Sequence, residues 1–116
     1  MELFIRQLNQ AGVVSITGSV DALTSGELTK FMLEQIQSGQ RQLVADLSQV
    51  EFMSSAGLRA ILAAFKESRQ QGGDLRLANA QPGVQKLLKL AGFTNIIRIY
   101  PTVQEAVSSF ETGSAA

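Results

Sequence analysis

The spacing of apolar residues along this chain switches repeatedly between two periods, one typical of strands and one typical of helices. The strands predicted on this basis cover residues 3–8, 13–18, 42–47, 75–79 and 96–100. The polar segment 9–12 between the first two strands is typical of a β-hairpin turn. The run 42–47 is almost continuously apolar, which indicates a central strand covered on both faces.

Helices are predicted between and after these strands, each with apolar residues that recur on a single helical face. These faces consist of Leu28, Phe31, Met32 and Ile36; of Leu58, Ile61, Leu62 and Phe65; of Val84, Leu87, Leu88 and Ala91; and of Val103, Ala106, Val107 and Phe110. Thr24 or Ser25 can cap the first helix, and Gly39 is suited to end it. Pro82 fits the first turn of the third helix, and Thr102 opens the last one.

This alternation predicts an α/β fold in a single domain over residues 1–111. Its sheet is expected to be mixed but mostly parallel, with four to five strands packed against about four helices. The opening hairpin supplies the antiparallel pair, and the later strands are expected to run parallel. Residues 112–116, with the sequence TGSAA, are expected to form a flexible C-terminal tail.

Composition and charge narrow the classes of function for a chain with this pattern. Hydrophobic residues make up 45% and charged residues 17%, which is typical of a globular chain. Lys and Arg together number 10, as do Asp and Glu, so no basic surface is expected to bind nucleic acid or an anionic membrane. Residues 1–10 have no signal-peptide pattern, and no apolar run reaches the ~20 residues of a membrane helix. A cytoplasmic protein without membrane insertion is therefore expected.

The chain also lacks the residue types on which many catalytic sites depend. It contains no Cys and no His, which removes thiolate nucleophiles, the usual triads and the common ligands of transition metals. Its carboxylates do not fall in a recognisable catalytic spacing. We therefore expect a protein that is not an enzyme and that holds neither a metal nor a cofactor.

Two neighbouring serines, Ser54 and Ser55, lie between the central strand, with its continuation 48–52, and the second helix. One interpretation is a plain helix cap, which stabilises a helix by about 1 kcal/mol. The other is a phosphorylation site, because the free N–H groups and the positive dipole end of a helix N-terminus favour a phosphate. Functional sites of α/β sheets often lie at such strand-to-helix junctions. The local sequence alone leaves both interpretations open.

Three segments of the chain, residues 18–28, 43–62 and 72–93, carry sequence features that belong together. In this order they resemble the STAS family, and in particular the bacterial anti-sigma factor antagonists. Residues 18–28, GSVDALTSGEL, are similar to the family's early G-x-x-D segment and first helix. Residues 43–62, LVADLSQVEFMSSAGLRAIL, are similar to its signature, an apolar strand and D-L-S before an aromatic-Met-Asp-Ser-(Ser/Thr/Ala)-Gly-Leu turn. Residues 72–93, GGDLRLANAQPGVQKLLKLAGF, resemble the strand and helix that follow.

The resemblance implies a regulator that is switched by phosphorylation of one serine. Matched position by position, that serine is Ser55, with Ser54 as the alternative. The implied partners are an anti-sigma factor serine/threonine kinase and a serine phosphatase of the metal-dependent class. Unphosphorylated, such a domain binds the kinase so that the sigma factor is released, and phosphorylation ends that binding. The residues expected to bind the partner are Asp21, Ser54, Ala56, Gly57, Leu58 and Arg59.

One residue departs from the family pattern, because the Asp that precedes the phosphorylated serine in the family is Ser54 in this chain. Ser54 can still cap the helix, since Ser and Asp are similar at that position. Two other hypotheses stay open: a STAS scaffold subunit of an ABC-type lipid transport complex, which does not switch, and a small nucleotide-binding enzyme. Residues 53–59, MSSAGLR, lack the Lys and the flanking glycines of a Walker phosphate loop, which disfavours the enzyme.

Overall fold

The computed structural model of the chain describes the backbone of residues 1–114 and the side chains of residues 1–111. The strands are β1 Glu2–Leu8, β2 Ala11–Val20, β3 Gln42–Met53, β4 Asp74–Ala78 and β5 Ile99–Tyr100. The helices are α1 Ser25–Gln37, α2 Ser55–Gln70, α3 Pro82–Leu90 and α4 Val103–Ser114, with a short 3₁₀ helix at Phe93–Asn95. Each predicted strand and helix therefore forms, although some of their ends differ from expectation.

The strands form one mixed sheet in the order β1-β2-β3-β4-β5. β1 and β2 are antiparallel, whereas β2, β3, β4 and β5 run parallel to one another. The antiparallel pair closes at Leu8 and Ala11, and Asn9 in the turn has a φ of 55°, which Asn tolerates better than most residues. This topology confirms the predicted α/β fold and its mixed, mostly parallel sheet, and it places β3 at the centre.

Helices cover both faces of the sheet, as the apolar sequence of β3 indicates. On one face, α1, α2 and α3 pack over Leu43 and Leu47 to form the larger core cluster. On the opposite face, α4 packs over Val44 in a smaller cluster that includes Phe110. Because successive residues of a strand point to opposite faces, β3 contributes side chains to both clusters. No helix in the described part of the chain has the length and apolar composition that crossing a bilayer requires.

The predicted strand over residues 96–100 is wrong for its first half. Only Ile99 and Tyr100 pair with β4, opposite Leu77 and Ala78, although β4 also contains Asp74, Leu75 and Arg76. The N–H groups of Ile96 and Ile97 instead donate hydrogen bonds to the Phe93 carbonyl, at 3.0 and 2.8 Å. The 3₁₀ helix instead turns the chain so that Ile97 is buried, while Ile96 stays 52% exposed. The apolar sequence of this segment thus serves core packing rather than strand pairing.

Two smaller expectations concern the ends of helices. Ala91 was expected on the apolar face of the third helix, but it follows the last residue of α3 and is exposed, so that expectation is wrong. The tail expected over residues 112–116 overlaps the end of α4, whose backbone is helical to Ser114. Residues 115–116 lie outside the described part of the chain.

A buried ion pair lies at the amino end of β4, on the face that α4 covers. Arg76 is only 6% exposed, and its Nε donates a hydrogen bond of 3.1 Å to Oδ2 of Asp74. The guanidinium also lies 3.9 Å from the ring centroid of Phe110 and donates to the hydroxyl of Ser109. The second carboxylate oxygen of Asp74 lies 3.8 Å from Nη1 of Arg69 and accepts no hydrogen bond from the residues that the structure describes. β4 thus carries a charged pair inside an otherwise apolar packing layer.

Candidate functional site

The candidate site lies where β2 and β3 extend past the rest of the sheet. β4 stops pairing with β3 at Asp46, but β2 and β3 stay paired as far as Val20 and Met53. The freed edge of β3 is partly covered by Gln81, whose side-chain amide donates a 2.7 Å hydrogen bond to the Ser48 carbonyl. The carboxyl ends of β2 and β3 therefore project together, and the chain segments that follow them lie side by side.

Ser54 occupies the N-cap of α2, as one of the two interpretations of the serines proposes. Its backbone is extended, with φ −93° and ψ 177°, and its Oγ accepts a hydrogen bond of 3.4 Å from the Gly57 N–H. Its own N–H donates to the Val20 carbonyl at 2.9 Å, which continues the pairing of β2 with β3. Ser54 thus joins the sheet to α2 and is partly buried.

Ser55 differs from Ser54 in both position and exposure. It is the first residue of α2 and is exposed, and within residues 1–111 its hydroxyl makes no hydrogen bond. The N–H groups of Ser55 and Ala56 belong to the first turn, where a helix has no internal acceptors for them. A phosphate on Ser55 would therefore meet unpaired donors at the positive end of the helix dipole. Ser54 therefore caps the helix, whereas Ser55 is accessible to solvent.

Gly57 holds α2 close to the end of β2. A Cβ at this position would lie 2.8 Å from Cγ of Met53 and 2.9 Å from both Cγ1 and the carbonyl oxygen of Val20. Real side chains essentially never approach so closely, so the absence of a side chain is what lets the helix start here. The close approach at Gly57 therefore fixes where α2 begins relative to β2.

Asp21 follows Val20 directly, and the strand pairing therefore brings it to the same end of the sheet as the serines. Its Oδ1 accepts hydrogen bonds from the N–H of Leu23 at 2.9 Å and of Thr24 at 3.2 Å. Thr24 is the N-cap residue of α1, but its hydroxyl makes no cap bond and instead donates to the Ser19 carbonyl at 2.9 Å. Asp21 thus organises the turn before α1 and remains partly exposed.

The remaining residues expected at the site lie along the first turns of α2. Arg59 is exposed, whereas Leu58 and Ala56 are half-buried. Sequence reasoning missed two apolar residues nearby: Leu23 is 92% exposed and Phe52 is 55% exposed. Leu23 falls outside the apolar face of α1, and Phe52 precedes the buried Met53 in a strand whose side chains alternate. The sequence pattern could therefore have indicated that both side chains point to solvent. We use the word rim for Asp21, Leu23, Phe52 and Arg59, which the pairing of β2 with β3 and the start of α2 place at the same end of the sheet as Ser55.

Comparison with known proteins assigns this chain to a family. The family model described as STAS domain matches residues 3–106, which is most of the chain. The chain therefore belongs to the STAS domain family. This agrees with the resemblance found in the three sequence segments, and the family match now spans the hairpin as well.

The relatives of the chain include named regulators of sigma factors. The chain is 33% identical over 117 residues to the anti-sigma F factor antagonist of Paenibacillus polymyxa, with 98% of this chain and 100% of the relative covered. The crystal structure of an anti-sigma factor antagonist from Mycobacterium paratuberculosis is similar, with a TM-score of 0.85 and 25% identity over 93% of this chain and 92% of the other. The anti-sigma factor antagonist SpoIIAA, solved in its unphosphorylated form, shares the fold, with a TM-score of 0.80 and 18% identity over 96% and 97% of the two chains.

Replacement of each serine by alanine should separate their structural roles. We expect Ser54→Ala to lower the free energy of unfolding by about 0.5–1 kcal/mol, because the cap bond to Gly57 is lost but is long in the native protein. Ser55→Ala is the matched control, and we expect it to change the free energy of unfolding by less than about 0.5 kcal/mol because Ser55 is exposed. Urea unfolding of both variants measures the difference. Equal losses would contradict the assignment of the cap to Ser54.

Proposed function

We propose that this protein is an anti-sigma factor antagonist that binds an anti-sigma factor serine/threonine kinase and is released when Ser55 is phosphorylated. The observation that carries the proposal is the exposed Ser55 hydroxyl at the start of α2, beside a capping serine that keeps the helix in place. The named relatives support the class of partner. A serine phosphatase of the metal-dependent class is proposed as the second partner, which would restore the binding form.

The physical basis of the proposed switch is the charge that phosphorylation adds. A phosphoserine carries roughly −1.5 to −2 charges at neutral pH. The first turn of α2 contains no acidic residue, so the helix itself does not oppose the phosphate. At an interface, however, the same group must be desolvated and faces any acidic group of the partner, which weakens binding. Phosphorylation should therefore leave the fold intact and act on the complex.

The rim around Ser55 is the proposed contact surface for the kinase. Leu23 and Phe52 offer apolar area that is exposed in the free protein, and Asp21 and Arg59 offer charges of opposite sign. Apolar residues at the centre of an interface and charges at its border are the usual arrangement in protein complexes. The exposed Ser55 lies at the same end of the sheet, where a kinase bound to this surface could reach its hydroxyl. SpoIIAA, which shares the fold, has also been solved in a phosphorylated form, which supports such a switch.

The phosphorylation site can be tested by mass spectrometry of the protein expressed in its own cell. We expect a phosphate on Ser55, which fragmentation would locate and which Ser55→Ala would abolish. Ser54→Ala is the matched control and should keep the phosphate, because the accessible hydroxyl is retained. Phosphate only on Ser54 would move the switch by one residue, and no phosphate under any growth condition would contradict it.

Binding measures the consequence of that phosphate. If the phosphate costs ~3 kcal/mol at the interface, phosphorylated protein should bind the kinase more than a hundredfold more weakly than unphosphorylated protein. Ser55→Glu carries one charge instead of nearly two, so a smaller loss is expected. Calorimetric titration of the kinase with each form measures the change. Equal affinities of the phosphorylated and unphosphorylated forms would contradict release by phosphorylation, even if Ser55 is modified.

A further inference from the structure

The outer edge of β1 is an open strand edge with apolar side chains on it. In the part of the chain that the structure describes, β1 pairs only with β2, so alternate N–H and C=O groups on its other side have no strand beside them. Phe4 is 63% exposed and Leu8 is 37% exposed. β1 pairs with β2 over its whole length without a register shift, so no bulge turns this edge away from a partner.

We propose that this edge binds the same edge of a second copy of the chain, in an antiparallel register centred on Phe4. The observation that selects this partner is the self-complementary sequence E-L-F-I-R at residues 2–6. Two such strands, run in opposite directions, place opposite charges and apolar residues against each other. The facing pairs between the two copies are Glu2 with Arg6, Leu3 with Ile5, and Phe4 with Phe4.

Backbone geometry is compatible with this register. Residues of one strand alternate in whether their N–H and C=O groups point to one neighbour or the other. The register centred on Phe4 always matches an even-numbered residue with an even one and an odd-numbered residue with an odd one. The outward N–H and C=O groups of both copies therefore come opposite each other. A register centred one residue further along would place Glu2 opposite Leu8 and leave the charge without a partner.

The side chains of the proposed contact divide between the two faces of the sheet. Leu3 and Ile5 pack against the larger core cluster, so they lie on the face of α1 and α2. Glu2, Phe4 and Arg6 consequently point to the face of α4, and both charges are exposed. Each Glu2 can therefore face an Arg6 of the second copy across the strand pair. Opposite charges in such cross-strand pairs are stabilising and like charges are destabilising.

Self-association through β1 would leave the site at Ser55 accessible in both copies. Glu2 pairs with Thr17 of β2, so the amino end of β1 points towards the end of the sheet that carries Ser55. An antiparallel neighbour places its own Ser55 towards the opposite end of the joined sheet. A single strand pair buries less area than a standard interface, so the dimer is expected to be weak and to depend on concentration. The inference therefore goes beyond the proposed function and does not depend on it.

Charge reversal tests the register. Sedimentation of the whole chain over a dilution series should show a dimer that dissociates on dilution. Glu2→Arg places two like-charged pairs in the dimer, and so does Arg6→Glu, so each variant alone should dimerise roughly tenfold more weakly. An equimolar mixture of the two single variants should dimerise as well as the native chain. In the mixed dimer the arginine introduced at position 2 faces the glutamate introduced at position 6, and the retained Arg6 of one variant faces the retained Glu2 of the other. Glu34→Arg, on the exposed side of α1, is the matched charge control and should leave the dimer unchanged.

The mixing experiment separates the possible outcomes. Recovery of the dimer in the mixture, with weaker dimerisation of either variant alone, supports the proposed edge and register. A Glu34→Arg dimer of native strength excludes a general effect of net charge, because Glu34→Arg and Glu2→Arg change the net charge equally. A native dimer that both single variants retain would overturn the proposal by placing the contact elsewhere. A native chain that stays monomeric at every concentration would also overturn it and leave the edge to a different protein. Thermal unfolding of each variant confirms that the chains compared are folded, since both charges are exposed.

Discussion

Arg76→Ala is expected to destabilise this protein more than any other substitution considered. The guanidinium is 6% exposed and is the only group that donates a hydrogen bond to the Asp74 carboxylate within residues 1–111. Removal of one member of a buried ion pair costs about 3–5 kcal/mol. In this variant the buried Asp74 carboxylate would keep the 3.8 Å contact with the exposed Arg69 but would lose its hydrogen-bonded partner. The variant also loses the contact with the Phe110 ring, which lies 3.9 Å from the guanidinium carbon. Such a loss is a large fraction of the ~5–15 kcal/mol that stabilises a typical domain.

The double variant Asp74→Leu with Arg76→Met provides the matched control for this expectation. Apolar residues of similar volume remove both charges together, and such replacements of a buried pair are often neutral or stabilising. Urea unfolding of the single and double variants gives the two free energies. We expect the double variant to be more stable than Arg76→Ala by at least about 2 kcal/mol, roughly the cost of one unpaired charge. A double variant as unstable as the single one would show that packing, and not the unpaired carboxylate, accounts for the loss.

The same pair shows where the sequence pattern stops being informative. Residues 75–79 alternate as a strand should, and the pattern alone favours placing Arg76 on a solvated face. In the structure that face is covered by α4, and Arg76 is buried against Phe110 and Ser109. The partner that permits this burial, Asp74, is only two residues away, but the covering helix comes from the other end of the chain. Local periodicity indicates which residues share a face and does not indicate what will cover that face.

The order of strands and helices was predictable for a physical reason. The apolar positions of β3 and of the four helices repeat with periods that only one type of element satisfies, and burial of those positions dominates stability. β5 was harder, because residues 96–100 are apolar both where they pair and where they only fill the core. The 3₁₀ helix at Phe93–Asn95 decided the outcome, because the N–H groups of Ile96 and Ile97 bond to the Phe93 carbonyl and not to β4. The apolar sequence of residues 96–100 does not reveal this preceding turn.

The place of the two serines in the fold was predictable, but the difference between them was not. Sequence reasoning placed both serines at a strand-to-helix junction and left capping and phosphorylation open. The structure gives the cap to Ser54, through a bond to the Gly57 N–H, and leaves Ser55 exposed. At the start of α1, the hydroxyl of Thr24 could cap the helix or bond to a residue outside it. It donates to the Ser19 carbonyl and makes no cap bond. Choices of this kind depend on distances that spacing along the chain cannot supply.

Gly57→Ala is expected to disturb both the stability of the fold and the position of Ser55. The added methyl group would lie 2.8 Å from Met53 and 2.9 Å from the Val20 carbonyl oxygen. That oxygen accepts a hydrogen bond from the Ser54 N–H, so it cannot move aside without loss. Overpacking of this kind costs about 1–3 kcal/mol, so we expect a loss in that range on urea unfolding. The variant can relieve the contact only by moving the start of α2 away from β2, which also moves the serines.

Gly83→Ala is the matched control, because Gly83 also lies in the first turn of a helix but has nothing within 4 Å of an added Cβ. There the methyl group restricts the unfolded chain without a clash, so we expect a gain of about 0.4–1 kcal/mol. The two substitutions add the same atoms to the same kind of position and should therefore change stability in opposite directions. If Ser55 depends on the close approach of α2 to β2, Gly57→Ala should also lower its phosphorylation under conditions where the variant is still folded, whereas Gly83→Ala should not. A folded Gly57→Ala variant that is phosphorylated at the native level would contradict a positioning role for Gly57.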